Sequence, residues 1–503
     1  MDISALDLIH GKGDVPMRTQ RFNLTETQRF LLRNVSIIGL GLFINQMLQT
    51  VGSIVLAREL GDPERFGEVN LLLQIFGMIS LFLNFGFNSS LIYAFSRNPL
   101  EAVQTNFRVA LTGSTLFSLF IGLLLCTLAP LLANYYHLTE LRGALMLSSI
   151  MFFFNSILNI GVASFSGNRD FGTQAFFMVI TTALSTIGTV LGVLLPRGGI
   201  NLLENISLWM GVGALLTASI ICIKVERVHK PRWFGPLPIQ EIKSMLAYGL
   251  PSWAGNIAKA FQQPFLVMMV GSSSVLAVGY LANGFRITGF IGIITWAFMI
   301  VTLPFVAERA QDVEESKRRG TSCIRYNNLL LYPLTAIICL FPDQINGFLF
   351  GSDYSTGDSA AYIRLMALGV LFSSVGRLGG SIMAGIGKTK STFWVMIAAG
   401  IFVVIFVPMF AASSPVLAVW IYTGGWAVSA LTMIGFYYYE KFALNWWEAY
   451  GEPLLPTLVM IAIMVAGRFA NSWFPLFVCV GLLDLISFTI RIEKNPKPRV
   501  DAA

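Results

Sequence analysis

Long apolar runs, separated by short polar breaks, recur along almost the whole chain. A helix needs about 20 mostly apolar residues to cross a bilayer, and fourteen segments meet that length: 34–57, 67–96, 109–133, 143–165, 171–195, 205–223, 245–270, 276–306, 323–345, 359–385, 391–412, 415–439, 454–470 and 472–490. No alternating, strand-like pattern competes with them. The expected fold class is therefore an all-α polytopic membrane protein of about fourteen transmembrane helices. The breaks divide it into an N-terminal segment (1–33), a first lobe of six spans (34–223), a linker (224–244), a second lobe of six spans (245–439), a terminal two-span hairpin (440–490) and a tail (491–503).

Composition agrees. Of 503 residues, 55% are hydrophobic and 12% charged, with a mean hydropathy of +0.68, whereas soluble domains carry about a quarter charged residues. The outer surface must face lipid. The position of each charge says more than the net +7. With the N-terminus placed in the cytosol, the alternating loops put 25 of the 34 Lys and Arg on the inner side and six on the outer. That is the distribution expected when cations stay in the cytosol. An error of one span would invert every later loop, so both termini are expected to be cytosolic. Residues 1–32 contain no apolar stretch of the kind a cleavable signal requires. The five cysteines and three histidines are scattered singly, without the spacing of a metal site. No cofactor, metal or covalent chemistry is expected.

The stretch AGIGKTKSTF, Ala384 to Phe393, resembles the end of a phosphate-binding loop. That loop needs a first glycine where this chain has Ile382, and a preceding strand where it has an apolar span. The stretch reads instead as a tight inner turn held by Lys388 and Lys390. Loops are too short for a nucleotide-binding domain, so neither nucleotide nor nucleic acid is expected as a partner.

A weak internal repeat supports the two lobes. IGLGLFINQ at Ile38 matches YGLPSWAGN at Tyr248, FGEVN at Phe66 matches VGYLA at Val278, and SGNRDF at Ser166 matches IGKTKS at Ile386. The order is kept at nearly constant offset. Six spans per repeat leave both halves in one orientation, related by an axis along the membrane normal. Substrate is then expected between them.

Charges inside spans are costly and are candidate sites by default. Three Lys and Arg fall there, all in the second half: Lys259, Arg286 and Arg377. Lys259 shares a helical face with Ser252, Asn256 and Gln263, and Arg377 sits four residues from Ser373 and from Ser381. Span one carries Asn45, Gln49 and Ser53, span four Asn155 and Asn159, and span two Asn70, Gln74, Asn84 and Asn88. Such amides also serve as hydrogen-bonding glue between helices, whereas glue needs no full charge. By depth, Lys259 falls near mid-membrane, Arg286 in the outer half and Arg377 in the inner half, a ladder suited to a moving anion. Among 27 acids only Asp484 lies deep in a span, with Glu68 and Glu308 at span ends. A cation antiporter usually needs a buried carboxylate, so for a coupling ion only Asp484 and Glu68 come into question.

ARELGDPERFGEVNLL, from Ala57 to Leu72, resembles the A-R-x-L-G-x-x-x-F-G stretch of the bacterial polysaccharide flippases. These belong to the multidrug, oligosaccharidyl-lipid and polysaccharide exporter superfamily. VGYLANGFRI, LPFVAE, FLFGSDY and AGIGKTK agree in order and placement. The resemblance implies alternating access between two lobes in the bacterial inner membrane. It implies transfer of undecaprenyl-pyrophosphate-linked oligosaccharide for O-antigen, capsule or exopolysaccharide assembly. It also implies a cationic cavity, membrane lipids as surroundings, and a polysaccharide polymerase and other assembly proteins as partners. A multidrug or cation antiporter and a lipid II flippase are the alternatives within the superfamily. A scaffolding membrane protein is the alternative outside it.

Overall fold

The computed structural model describes residues 26–83, 85–97, 105–168, 170–195, 198–231, 233, 235, 237–307, 309–355 and 357–469. The side chains of 26–36, 38, 96, 97, 248, 251, 252, 255, 256, 258, 259, 304, 389 and 466–469 are outside the description. Among the described residues there is no strand. The helices run α1 (Glu26–Leu60), α2 (Pro63–Ser80), α3 (Phe87–Arg97), α4 (Phe107–Tyr135), α5 (Thr139–Gly167), α6 (Phe171–Leu194) and α7 (Leu202–His229) in the first half. The second half holds α8 (Ile239–Ala260), α9 (Gln262–Gly271), α10 (Val275–Ala307), α11 (Val313–Leu340), α12 (Pro342–Phe350), α13 (Ser359–Gly385), α14 (Thr389–Ala411) and α15 (Pro415–Tyr439). A short π-helical turn, Trp447–Gly451, leads into α16 (Glu452–Phe469).

Among the described residues eleven helical segments are long and apolar enough to cross a membrane. Two further apolar runs are each carried by two helices. Run 67–96 is α2 plus α3, broken where Phe85 and Gly86 turn left-handed at φ 41° and 82°. Gly86 suits that backbone and a close approach as well, since a Cβ there would stand 2.4 Å from the carbonyl carbon of Gly249. Run 245–270 is α8 plus α9, broken at Phe261. Pro264, one turn on, has no N–H to give the carbonyl of Ala260. The run 472–490 and the tail lie outside the described residues.

The apolar run expected at 323–345 is displaced. Its helix, α11, begins ten residues earlier at Val313, capped by Asp312, whose carboxylate accepts from the Glu315 N–H at 3.0 Å. Glu314–Lys317 and Glu315–Arg319 pairs one turn apart carry helix through polar sequence. It ends at Phe341 because Pro342 starts the next helix. Within the stretch 224–244, α7 runs on to His229 and α8 begins at Ile239.

In the first lobe α5 packs against α4 and α7, and α6 against α7 and α1. In the second, α13 lies between α10 and α15, and α15 against α14. Between lobes α2 packs on α10 and α9, and α3 on α8. The repeat-related glycines Gly67 and Gly279 meet at this interface. A Cβ on Gly67 would fall 2.0 Å from the Val275 carbonyl oxygen, and one on Gly279 would fall 2.5 Å from that of Pro63. Equivalent positions meeting each other is what a two-fold axis between repeats requires.

The end of the bundle holding the α1–α2 turn is fastened across the lobes. Arg58 donates to the Phe348 carbonyl at 2.9 Å, and the Tyr354 hydroxyl donates to that of Ala57 at 3.0 Å. At the opposite end α3 and α8 are joined: the Ser90 hydroxyl donates to the Met245 carbonyl, and Trp253 Nε1 donates to that of Leu81 at 3.0 Å. The α16 segment is tied to α11 by Arg325–Glu452 at 2.9 Å and by Asn328 donating to the Ala449 carbonyl at 3.0 Å.

Candidate functional site

Two cavities lie along the facing helices α1 and α10. Arg286 sits eleven residues into α10, and Gln49 eleven residues before the end of α1. At 1.5 Å per residue both are about 17 Å from the same end of the bundle. They meet there, the Arg286 guanidinium donating to Gln49 Oε1 at 2.6 Å. Arg286 belongs to the second lobe, yet it enters a cavity of about 330 Å³ whose other walls come from the first. Gln49 and Ser53 of α1, Asn70 of α2 and Asn155 of α5 face it. So does a hydroxyl series at helical spacing on α6, namely Thr181, Ser185 and Thr189 with Thr182 and Thr186.

The second cavity, of about 440 Å³, is lined by Gln46 of α1, Gln263 of α9, Thr288 and Trp296 of α10, Arg377 of α13, and Tyr422 and Trp426 of α15. Gly376 and Gly379 keep α13 tight against α15, since a Cβ at either would fall within 2.5 Å of Ser429 or Met433 side-chain atoms. The Arg377 guanidinium lies over the Trp426 ring, 5.0 Å from its centroid, and Tyr422 stands edge-on to Trp426 at 6.2 Å. Stacking on an aromatic face is attractive for a desolvated cation. It leaves the N–H donors in the guanidinium plane available. No hydrogen bond or ion pair joins Arg377 to another described side chain, and no described Asp or Glu lines either cavity.

A thin septum separates the cavities. Gln46 and Gln49 are one turn apart on α1, facing one cavity each. Gly289 of α10 lies against Gln46, so close that a Cβ there would be 2.5 Å from Nε2. The Gln49–Arg286 hydrogen bond lies beside it, on the side of the first cavity.

Of the residues singled out by sequence, Gln49, Asn155 and Arg286 come together in the first cavity, and Gln263 and Arg377 in the second. Asn45 and Asn88 line neither. Each has a buried Oδ1 without a hydrogen-bond partner among the described residues. Asn159, half-buried on α5, also stands outside both. Lys259 and Asn256 lie on α8, with side chains outside the description. Glu68 pairs with Arg65 at 3.0 Å near the α1–α2 turn, away from the cavities. Asp484 falls outside the described residues. The polar stripe expected along 70–88 is interrupted, because the left-handed turn at Phe85–Gly86 resets the helical register between Gln74 and Asn88. Residues missed by the sequence reading are the α6 hydroxyls, Gln46, and the aromatic pair Tyr422 and Trp426. The step-of-four series from Thr181 to Thr189 is the one signal that could have found the first group.

A helical bundle with two lobes about a pseudo-two-fold axis, polar cavities at their interface and an apolar exterior defines a polytopic membrane protein of transporter architecture. The family model described as polysaccharide biosynthesis protein matches residues 55–357, and the chain belongs to that family. No curated protein sequence matches it. Among solved structures, the lipid II flippase MurJ in an inward closed conformation superposes with a TM-score of 0.75 at 14% identity, over 91% of this chain and 99% of that one. An inward-facing multidrug resistance MATE family transporter of the MOP superfamily gives 0.64 at 18%, over 79% and 94%. A MOP superfamily transporter from Pyrococcus furiosus, described as having reversed polarity in its binding pocket, gives 0.55 at 17%, over 82% and 95%. The fold is the one these transporters share.

Proposed function

We propose that this protein is a flippase. It carries undecaprenyl-pyrophosphate-linked oligosaccharide units from the cytosolic to the outer leaflet of a bacterial inner membrane by alternating access, for O-antigen, capsule or exopolysaccharide assembly. The observation that carries the reading is the pair Arg286 and Arg377, each in an interface cavity with no carboxylate among the described residues that line it. A cation held within the membrane without a fixed counter-ion is costly unless its partner arrives with the ligand. A pyrophosphate supplies that partner. A cation exporter would need the opposite charge in the same place. The lipid tail stays in the bilayer while the head group passes between the lobes. The excess of Lys and Arg at the end opposite the α1–α2 turn orients that end to the cytosol.

Lipid II has a pyrophosphate too, so the test separates the two substrates. Expression should restore surface polysaccharide in a strain lacking its polysaccharide flippase, and should leave a strain depleted of its lipid II flippase inviable. Rescue of the second strain alone would reassign the substrate. Drug resistance on overexpression without either rescue would favour an antiporter.

A further inference from the structure

The two cavities differ in the kind of hydrogen bond they offer. In the first, the hydroxyls of Thr181, Thr189 and Thr217 donate to the carbonyls of Phe177, Ser185 and Gly213 in their own helices, at 2.6, 2.9 and 3.0 Å. Their protons are committed, so what these hydroxyls offer a ligand is an acceptor. Asn70 gives one of its two amide hydrogens to the Phe66 carbonyl at 2.8 Å and keeps its oxygen as a further acceptor. Phosphate oxygens, themselves acceptors, find no donor in these three hydroxyls, whereas sugar hydroxyls can donate to them; the charged donor of this cavity, Arg286, stands at its edge with Gln49 as its acceptor. The Ser53 hydroxyl lines the same cavity, 4% exposed and without a partner among the described residues. A buried hydroxyl left so is costly until a ligand satisfies it.

The second cavity offers the reverse. Arg377 lies over the Trp426 ring, 5.0 Å from its centroid, and no described side chain accepts from its N–H groups. A planar fork of donors without a described acceptor matches phosphate oxygens.

Resting on the flippase reading, we infer that the substrate is divided between the cavities: the first is a saccharide subsite and the second holds the pyrophosphate. The substrate then straddles the septum formed by Gln46, Gln49, Arg286 and Gly289. Taking hold of the sugar breaks the Gln49–Arg286 hydrogen bond.

The test uses full-length protein in nanodiscs and two lipids, undecaprenyl pyrophosphate bare and the same lipid bearing a neutral disaccharide. Wild type should bind the sugar-bearing lipid at least tenfold more tightly. The combined variant Thr181→Val, Thr189→Val, Thr217→Val keeps side-chain shape and loses the acceptors. Its helices do not depend on these back-bonds, and a thermal midpoint close to wild type checks that it folds. It should bind both lipids alike, at the affinity wild type shows for the bare one, while Arg377→Gln should weaken both lipids in parallel. A triple variant that retains the full sugar preference would overturn the division. If wild type binds neither lipid more tightly than it binds undecaprenol, the flippase reading itself fails.

Discussion

Replacing Arg377 by glutamine is expected to abolish transport while leaving the protein at least as stable as wild type. Two opposite effects meet at this residue. In this conformation the guanidinium is held over Trp426 with no described carboxylate beside it, so folding bears the cost of desolvating a lone charge. Removing the charge relieves that cost, and the thermal midpoint in detergent should stay level or rise. With an anionic substrate present the same charge becomes the partner of a desolvated phosphate. Losing one side of such a pair costs about 2–5 kcal/mol, roughly 30-fold to more than 1,000-fold in affinity. Complementation of a flippase-null strain at equal membrane level reads the second effect, and thermal unfolding the first. Arg377→Lys should recover part of the activity, since a point charge restores attraction without the planar fork. An Arg377→Gln protein that transports normally would remove this residue from the site. One that unfolds would make it a structural cation.

The second large effect is expected at the glycine pair on the two-fold axis. In Gly67→Val the added Cβ would occupy space 2.0 Å from the Val275 carbonyl oxygen, so α2 and α10 must separate at the end holding the α1–α2 turn. The clash lies between lobes and leaves the packing within each intact. The expected product is therefore a folded protein unable to close that end, with transport lost. In a cysteine-free background, Ser53→Cys should become reactive toward a membrane-impermeant maleimide added outside the cell only when Gly67→Val is also present. Gly279→Ala, whose Cβ would lie 2.5 Å from the Pro63 carbonyl, should give a milder version of both results. Wild-type transport with unreactive Ser53→Cys would mean that this contact does not open during the cycle.

Much of the architecture was legible because lipid imposes a one-dimensional rule. Every spanning helix must be apolar over its length, so the runs stand out, and Arg286 and Arg377 stand out within them as charges that cost energy. The Gly67 and Gly279 match, two letters in a weak repeat, proved to be two backbones in contact. What the sequence did not disclose is which neighbour a side chain meets. Helical spacing gives the face of α10 that holds Arg286, but not that this face turns to Gln49 in the opposite lobe, 237 positions away. The hydroxyls of α6 escaped notice because Ser and Thr bonded to their own helix carry little pattern that distinguishes a binding wall from ordinary packing. The break in run 67–96 was hidden as well. In the sequence Asn84 and Asn88 stand four positions apart, like Asn70 and Gln74, and only the left-handed turn at Phe85–Gly86 shows that the register does not continue from Gln74 to Asn88.

The account rests on the claim that two membrane-embedded arginines carry an anionic, sugar-bearing lipid across the bilayer. Its most direct test is purified protein in liposomes loaded with a fluorescent undecaprenyl-pyrophosphate oligosaccharide, with transfer between leaflets followed by quenching from outside. Wild type should accelerate transfer well above protein-free liposomes, and the double variant Arg286→Gln, Arg377→Gln should fall to that background. Transfer by the double variant at the wild-type rate would contradict the claim, as would a wild-type rate no faster than that of liposomes without protein.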